Sequence, residues 1–187
     1  MNTELQKTVE IGERSYDIRS DYRAVLDICT ALSDPDLDNT EKAYAALEIF
    51  YPDFDKMPAQ DYKDAIEACY AFISSGDSDG KKKAPKLVDW EQDFKYIIAP
   101  INRIIGRDAR GDDYMHWWTF LSHYYEIGPD CIFSQIVRIR DKLASHKVLE
   151  KSEKEWYRKN RELVDIKSKY SAEDMDILKQ WGGVKNE

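Results

Sequence analysis

Apolar residues return along this chain with the period of amphipathic helices, and the densest instance lies in residues 112–128, DDYMHWWTFLSHYYEIG. Tyr114, Trp117 with Trp118, Leu121, and Tyr124 with Tyr125 recur at helical spacing, and Met115 and Phe120 widen the stripe. A face that broad predicts a central helix enclosed on most sides. Asp112 or Asp113 is placed to cap its first turn, and Gly128 before Pro129 to end it in a left-handed conformation.

The rest of the pattern predicts support for that helix. Residues 9–18 alternate around Gly12 and read as a small hairpin. Ser20 or Asp21 caps a first helix with the stripe Tyr22, Val25, Leu26, Cys29 and Leu32, closed by Ser33, Asp34 and Pro35. Asn39 or Thr40 caps a second, which Pro52 stops, and a third begins near Pro58 and ends at Gly76. Residues 74–85 form a polar loop, and its lysines 81–83 read as a solvated run. Asp89 opens a fourth helix that contains Pro100, so the segment either kinks there or divides into two abutting helices. Another helix carries Ile132, Ile136, Ile139 and Leu143 and ends near Ser145 and His146. From residue 147 the stripe thins to Trp156, Leu163, Ile166 and Tyr170, and a last short segment ends at Trp181. Such a narrow face suits a helix that leans on a domain or pairs with another helix. The fold class expected is therefore mainly α. A single helical domain of about six helices with an N-terminal hairpin occupies residues 1–146, and a charged helical arm and tail occupy 147–187.

Charge sharpens this picture. Residues 1–79 hold 18 acidic and 7 basic side chains, net −11, whereas the remainder holds 18 and 21, net +3. The acidic half repels nucleic acid, and no basic face with interleaved aromatics replaces it. Cys29, Cys69 and Cys131 are odd in number and sit in apolar patterns, which points to buried thiols in a reducing compartment. The first twelve residues lack the apolar core of a signal peptide, and no window reaches the ~20 apolar residues of a membrane span. The expected location is a cytoplasm.

Two clusters have the residue types of chemical sites. His116 and His123 project from one side of the predicted helix with Glu126 one turn on, yet zinc needs three or four ligands and no HExxH or paired cysteine supplies them. Asp89, Glu91 and Asp93 crowd a helix start, where the helix dipole alone accounts for them. Neither a phosphate-cradling glycine loop nor a nucleophile elbow is present. The expectation is a protein that is no enzyme, binds no metal or cofactor, and is a monomer or weak oligomer.

Four pieces of the chain, residues 16–26 (YDIRSDYRAVL), 88–98 (VDWEQDFKYII), 115–120 (MHWWTF) and 136–145 (IVRIRDKLAS), together resemble the bacteriophage gp-fifteen proteins of siphophages and prophages of Gram-positive bacteria. The likeness spans roughly residues 9–170. That family is encoded near the tail tape-measure gene, so the resemblance implies a tail assembly chaperone that shields the tape-measure protein in the bacterial host cytoplasm. The second reading it allows, after the chaperone, is a structural tail or connector component retained in the virion. A tape-measure protein presents long amphipathic helices, which a helix-in-groove or helix-pairing contact would cover. The thin stripe Trp156, Leu163, Ile166 and Tyr170, followed by Trp181, is the expected partner-binding surface, and deleting residues from Ser152 onward is expected to leave the domain folded.

Overall fold

The computed structural model describes residues 4–75, 85–111 and 113–167. The lysine run, Asp112, Tyr170, Trp181 and the segment 171–181 lie outside the described residues. Within them the chain is mainly helical, with eight α-helices and one two-stranded hairpin.

The hairpin pairs β1 (Thr8–Ile11) with β2 (Arg14–Asp17) antiparallel, Val9 opposite Tyr16. Gly12 makes its turn at φ +59°, a conformation that suits a residue without a Cβ. Val9 and Ile11 point inward, as period-two alternation requires. The outer strand is tied down by Asp61, whose carboxylate accepts from the Tyr16 hydroxyl at 2.6 Å and from Arg14 at 3.0 Å. Four strand residues cannot persist alone, and this anchorage to the start of the third helix supplies what they lack.

Helix α1 (Tyr22–Ser33) starts where the Asp21 carboxylate accepts from the Arg23 amide. Helix α2 (Asn39–Phe50) is capped one residue earlier than predicted, by Asp38, which forms a reciprocal capping box with Glu41. Helix α3 (Tyr62–Ile73) begins after a 3₁₀ turn at Ala59–Asp61 and not at Pro58. Helix α4 (Trp90–Ile105) runs through Pro100 as one helix and ends at Gly106 in the left-handed conformation, φ +74°. Helix α1 packs on α2, α4 and α5, and α4 packs on α5 and α6. Val25, Ile28, Ala46, Phe50, Ile97, Ile101 and Phe120 are removed from solvent at the centre. Burying aliphatic and aromatic side chains of this size stabilises the fold by about 1.5–3 kcal/mol apiece.

The central helix is shorter than its pattern predicts. Helix α5 spans Trp117–Tyr125, with His116 as its cap, while residues 113–115 are not helical and Tyr114 is exposed. Tertiary pairing overrides local spacing, because Met115 and His116 are drawn into a β-bridge with the start of α1. Gly128 is not left-handed either. Helix α5 stops at Glu126 in a right-handed conformation, and the Gly128 carbonyl accepts from the Ser134 hydroxyl at 2.7 Å. Helix α6 (Ile132–Ala144) follows, with the Cys131 thiol at its cap.

Beyond α6 the stripe expected to make one helix is broken. Helix α7 (Lys151–Lys159) and the single turn α8 (Arg161–Val164) meet at Asn160, where the backbone leaves helical geometry at φ −123° and both the side-chain and the main-chain amide donate to the Trp156 carbonyl, at 2.9 and 3.0 Å. Both fold back on the domain: α8 packs on α6, and Ile139, Leu149 and Val164 form a small apolar cluster with Trp156 and Tyr157.

Candidate functional site

The four stretches that carry the family resemblance meet in pairs. In the first pair, Tyr22 donates its amide to the Met115 carbonyl at 2.9 Å and Trp117 donates to the Ser20 carbonyl at 2.8 Å. The Asp21 carboxylate serves both sides, since it caps α1 and also accepts from the Met115 amide at 3.0 Å. Tyr22 stacks on Phe120 with ring centres 4.5 Å apart, and Trp117 stacks on Phe120 at 5.7 Å. Offset ring pairs of this kind add about 0.5–1.5 kcal/mol beyond their burial.

His116 is consumed by this joint. Its Nδ1 accepts the Trp118 amide at 3.1 Å, so Nε2 carries the proton and donates to the Gln6 carbonyl at 2.8 Å. Burial holds its pKa below the usual histidine range, and nearby Lys7 pushes the same way against the Gln6 bond. The predicted partners His123 and Glu126 lie outward along α5, and no three His, Cys, Asp or Glu side chains gather as a ligand set among the described residues. Trp117 and Trp118 send their indole N–H groups to the last carbonyls of α3, those of Ile73 and Phe72, each at 2.9 Å.

The second pair is ionic. Asp89 caps α4 through the Gln92 amide, as its position predicts. Asp93 does more than favour the helix dipole. It is fully buried and paired with Arg140 of α6, itself 5% exposed. The guanidinium has five N–H donors, and all are used: two on the Asp93 carboxylate, one on the Leu87 carbonyl, and one each on the Val164 and Leu163 carbonyls at 2.6 and 3.1 Å. Sequence spacing held a signal for this pair. Asp93 lies four residues before Ile97 and Arg140 four after Ile136, so opposite charges occupy two apolar stripes.

The expected partner-binding residues sit on the segment that Arg140 receives. Trp156, Leu163 and Ile166 are each half-buried, Trp156 against the small cluster, and Tyr170 and Trp181 lie outside the described residues. The segment is fastened at both ends. Gln92 donates to the Asp165 carbonyl at 3.0 Å and accepts from the Lys167 amide at 2.9 Å, while Glu153 accepts two bonds from Lys142 at 2.6 and 2.8 Å. That contact with Lys142 holds the Glu153 carboxyl below its ordinary range.

Two thiols are set back from reactivity. Desolvation pushes Cys29 up to about 11 and Cys69 up to about 12, so neither is a thiolate near neutrality. An open groove of about 680 Å³ beside the first joint is lined by Lys7, Arg23, Asp27, Asp113 and Tyr114, a mixture of both signs that selects no obvious ligand charge.

A family model described as Bacteriophage Gp15 protein matches residues 1–166. The chain belongs to that family. Comparison with curated proteins and with solved structures gives no match. The Gp15 match ends at Ile166, so it takes in both joints and the fastened segment as one unit. No helix among the described residues of this phage protein is long and apolar enough to cross a membrane.

Proposed function

We propose that this phage protein is a tail assembly chaperone that holds the helical tape-measure protein by contact and performs no catalysis. One observation carries the reading: the buried and part-buried ionisable groups His116, Asp21, Asp93 and Arg140 of the family-bearing stretches are spent on holding helices together. His116 is a cap, Asp21 joins two helix starts, and Asp93 neutralises Arg140. Among the described residues no buried side-chain nitrogen or oxygen lacks a hydrogen-bond partner, whereas a catalytic group keeps bonding capacity for substrate. A rigid helical body that ends in a charged, aromatic-bearing segment suits a client made of long amphipathic helices. The contact is assigned to Trp156, Leu163 and Ile166 with Tyr170 and Trp181 beyond them, acting in the host cytoplasm.

Co-expression with the tape-measure protein of the same phage tests this. The full chain is expected to keep the client soluble and co-purify with it, and a chain ending at Lys167, which keeps Gln92 and Arg140 satisfied, is expected to stay folded and hold the client less well. Ending instead at Lys151 removes two of the three carbonyls that Arg140 bonds and uncovers Ile139, so that truncation is expected to be less stable and to aggregate through the bared face of α6. A client equally insoluble with and without the full chain sinks the proposal. Mass spectrometry of purified virions separates a chaperone, absent from particles, from a tail component that stays.

A further inference from the structure

We infer that residues 150–167 are a strap that opens as a unit while the rest of the fold stays closed, and that the face of α6 beneath it docks an amphipathic helix of a partner protein that carries a carboxylate one turn ahead of a pair of aromatic side chains. The first support is the division of the apolar core. The main cluster contains 23 buried residues, from Val9 to Phe133, whereas the strap is seated on a separate cluster of three, Ile139, Leu149 and Val164. Segments with few buried apolar contacts open at lower free energy than the core.

The second support is charge. Helix α6 turns Arg138 and Lys142 toward α7, and the strap answers with one carboxylate, Glu153, at 3.9 Å from Arg138 and 2.6 Å from Lys142. Trp156 and Tyr157, three and four residues further on, lie against the small cluster. The strap therefore spells out the chemistry its seat accepts: a carboxylate one helical turn ahead of a pair of aromatic rings. A partner helix with that pattern finds the two cations and the apolar floor already arranged.

The third support is the hinge. His146 follows α6 at φ +54°, with the Lys147 amide bonded to the Lys142 carbonyl in the cap usually completed by glycine. A side chain in that conformation is strained, and release of the strap can relax it. The inference leans on the assembly reading only for whose helix is taken.

Hydrogen exchange on the full chain tests the opening. Amides of residues 151–164 are expected to exchange about ten-fold or more faster than those of α1, α4 and α5. Glu153→Lys is expected to speed the strap further and leave core amides unchanged, and Lys142→Glu combined with Glu153→Lys to restore protection. A fluorescent synthetic peptide of residues 150–167 is then titrated into the Glu153→Lys chain, whose α6 face is intact. Saturable binding about ten-fold tighter than to the unaltered chain, lost when the peptide itself carries Lys at 153, supports the site. Exchange of strap and core in step, loss of protection throughout the Glu153→Lys chain, or no peptide binding overturns it. A strap that opens and takes the peptide while the tape-measure protein is ignored retains this inference and removes the client assignment.

Discussion

The joint between α1 and α5 and the joint between α4 and α6 do the same work by opposite means. The first rests mainly on backbone hydrogen bonds, a β-bridge and stacked rings, with its charges, Asp21 and Arg23, at the solvent edge, whereas the second places a full ion pair where almost no water reaches. Removing two charges from water costs several kcal/mol each before their attraction returns it, so the ionic joint adds little net stability over a well-packed apolar one. What it adds is direction. Five donors on one guanidinium fix where Leu87, Asp93, Leu163 and Val164 must lie together, while apolar contact alone tolerates sliding.

The sharpest break in the neutral joint is Trp117→Ala. Trp117 is 2% exposed and gives its indole N–H to α3, so its loss is expected to cost about 3–5 kcal/mol in denaturant unfolding. Trp118→Ala, at a half-buried position, is expected to cost measurably less, and equal small losses for both would show that the pair is not core.

In the ionic joint, Asp93→Ala strands a buried guanidinium and is expected to cost about 3–5 kcal/mol as well. Adding Arg140→Met should recover only part of that loss, because the Leu87 and Val164 carbonyls then lose the guanidinium donor and Leu163 keeps only the 3.4 Å bond from Gln92. Full recovery in the double-mutant cycle would mean that those carbonyl bonds carry no weight.

A pH titration separates the joints more gently. The folded pKa of His116 is below its unfolded value of about 6.5, so the fold favours neutral imidazole. That contribution is complete above pH about 6.5 and is lost as pH falls through the folded value, when a proton on Nδ1 displaces the Trp118 amide. His116→Asn keeps a cap acceptor without the titration, and its urea midpoint should fall less than that of the unaltered chain between pH 7.5 and 5. Parallel profiles would assign the acid sensitivity elsewhere. The smallest effect expected is a gain: His146→Gly relaxes a left-handed position and should stabilise by up to about 1 kcal/mol, read as a rise in melting temperature.

How much of this was legible follows from where each determinant lies in the sequence. The cap at Asp21 and the end of α6 at Ser145 are local, and spacing foretells them. The non-helical run before Trp117 is not, because Tyr114 and Met115 keep helical spacing and only pairing with residues 20–22 holds them out of the helix. For Asp93 the sequence points to the helix dipole, an account that needs no second residue. Its true partner is 47 positions away, and only the intrusion of both charges into apolar stripes hinted at it. The break at Asn160, where the backbone departs from helical geometry at φ −123°, leaves no mark in the apolar spacing, which runs on from Trp156 to Leu163.

The bridge between residues 20–22 and 115–117 also sets an order in time. Its hydrogen bonds span about 94 positions, so the N-terminal half cannot close its central joint until Trp117 has left the ribosome. Helix α5, nine residues long, is too short to persist before docking, and α1 waits with its buried face of Tyr22, Val25 and Ile28 exposed. Closing a loop of that length makes the contact slow to find, which places the commitment of the whole fold late in synthesis. Translation pauses before Trp117 should therefore favour aggregation of the nascent chain, and pauses after Tyr125 should not.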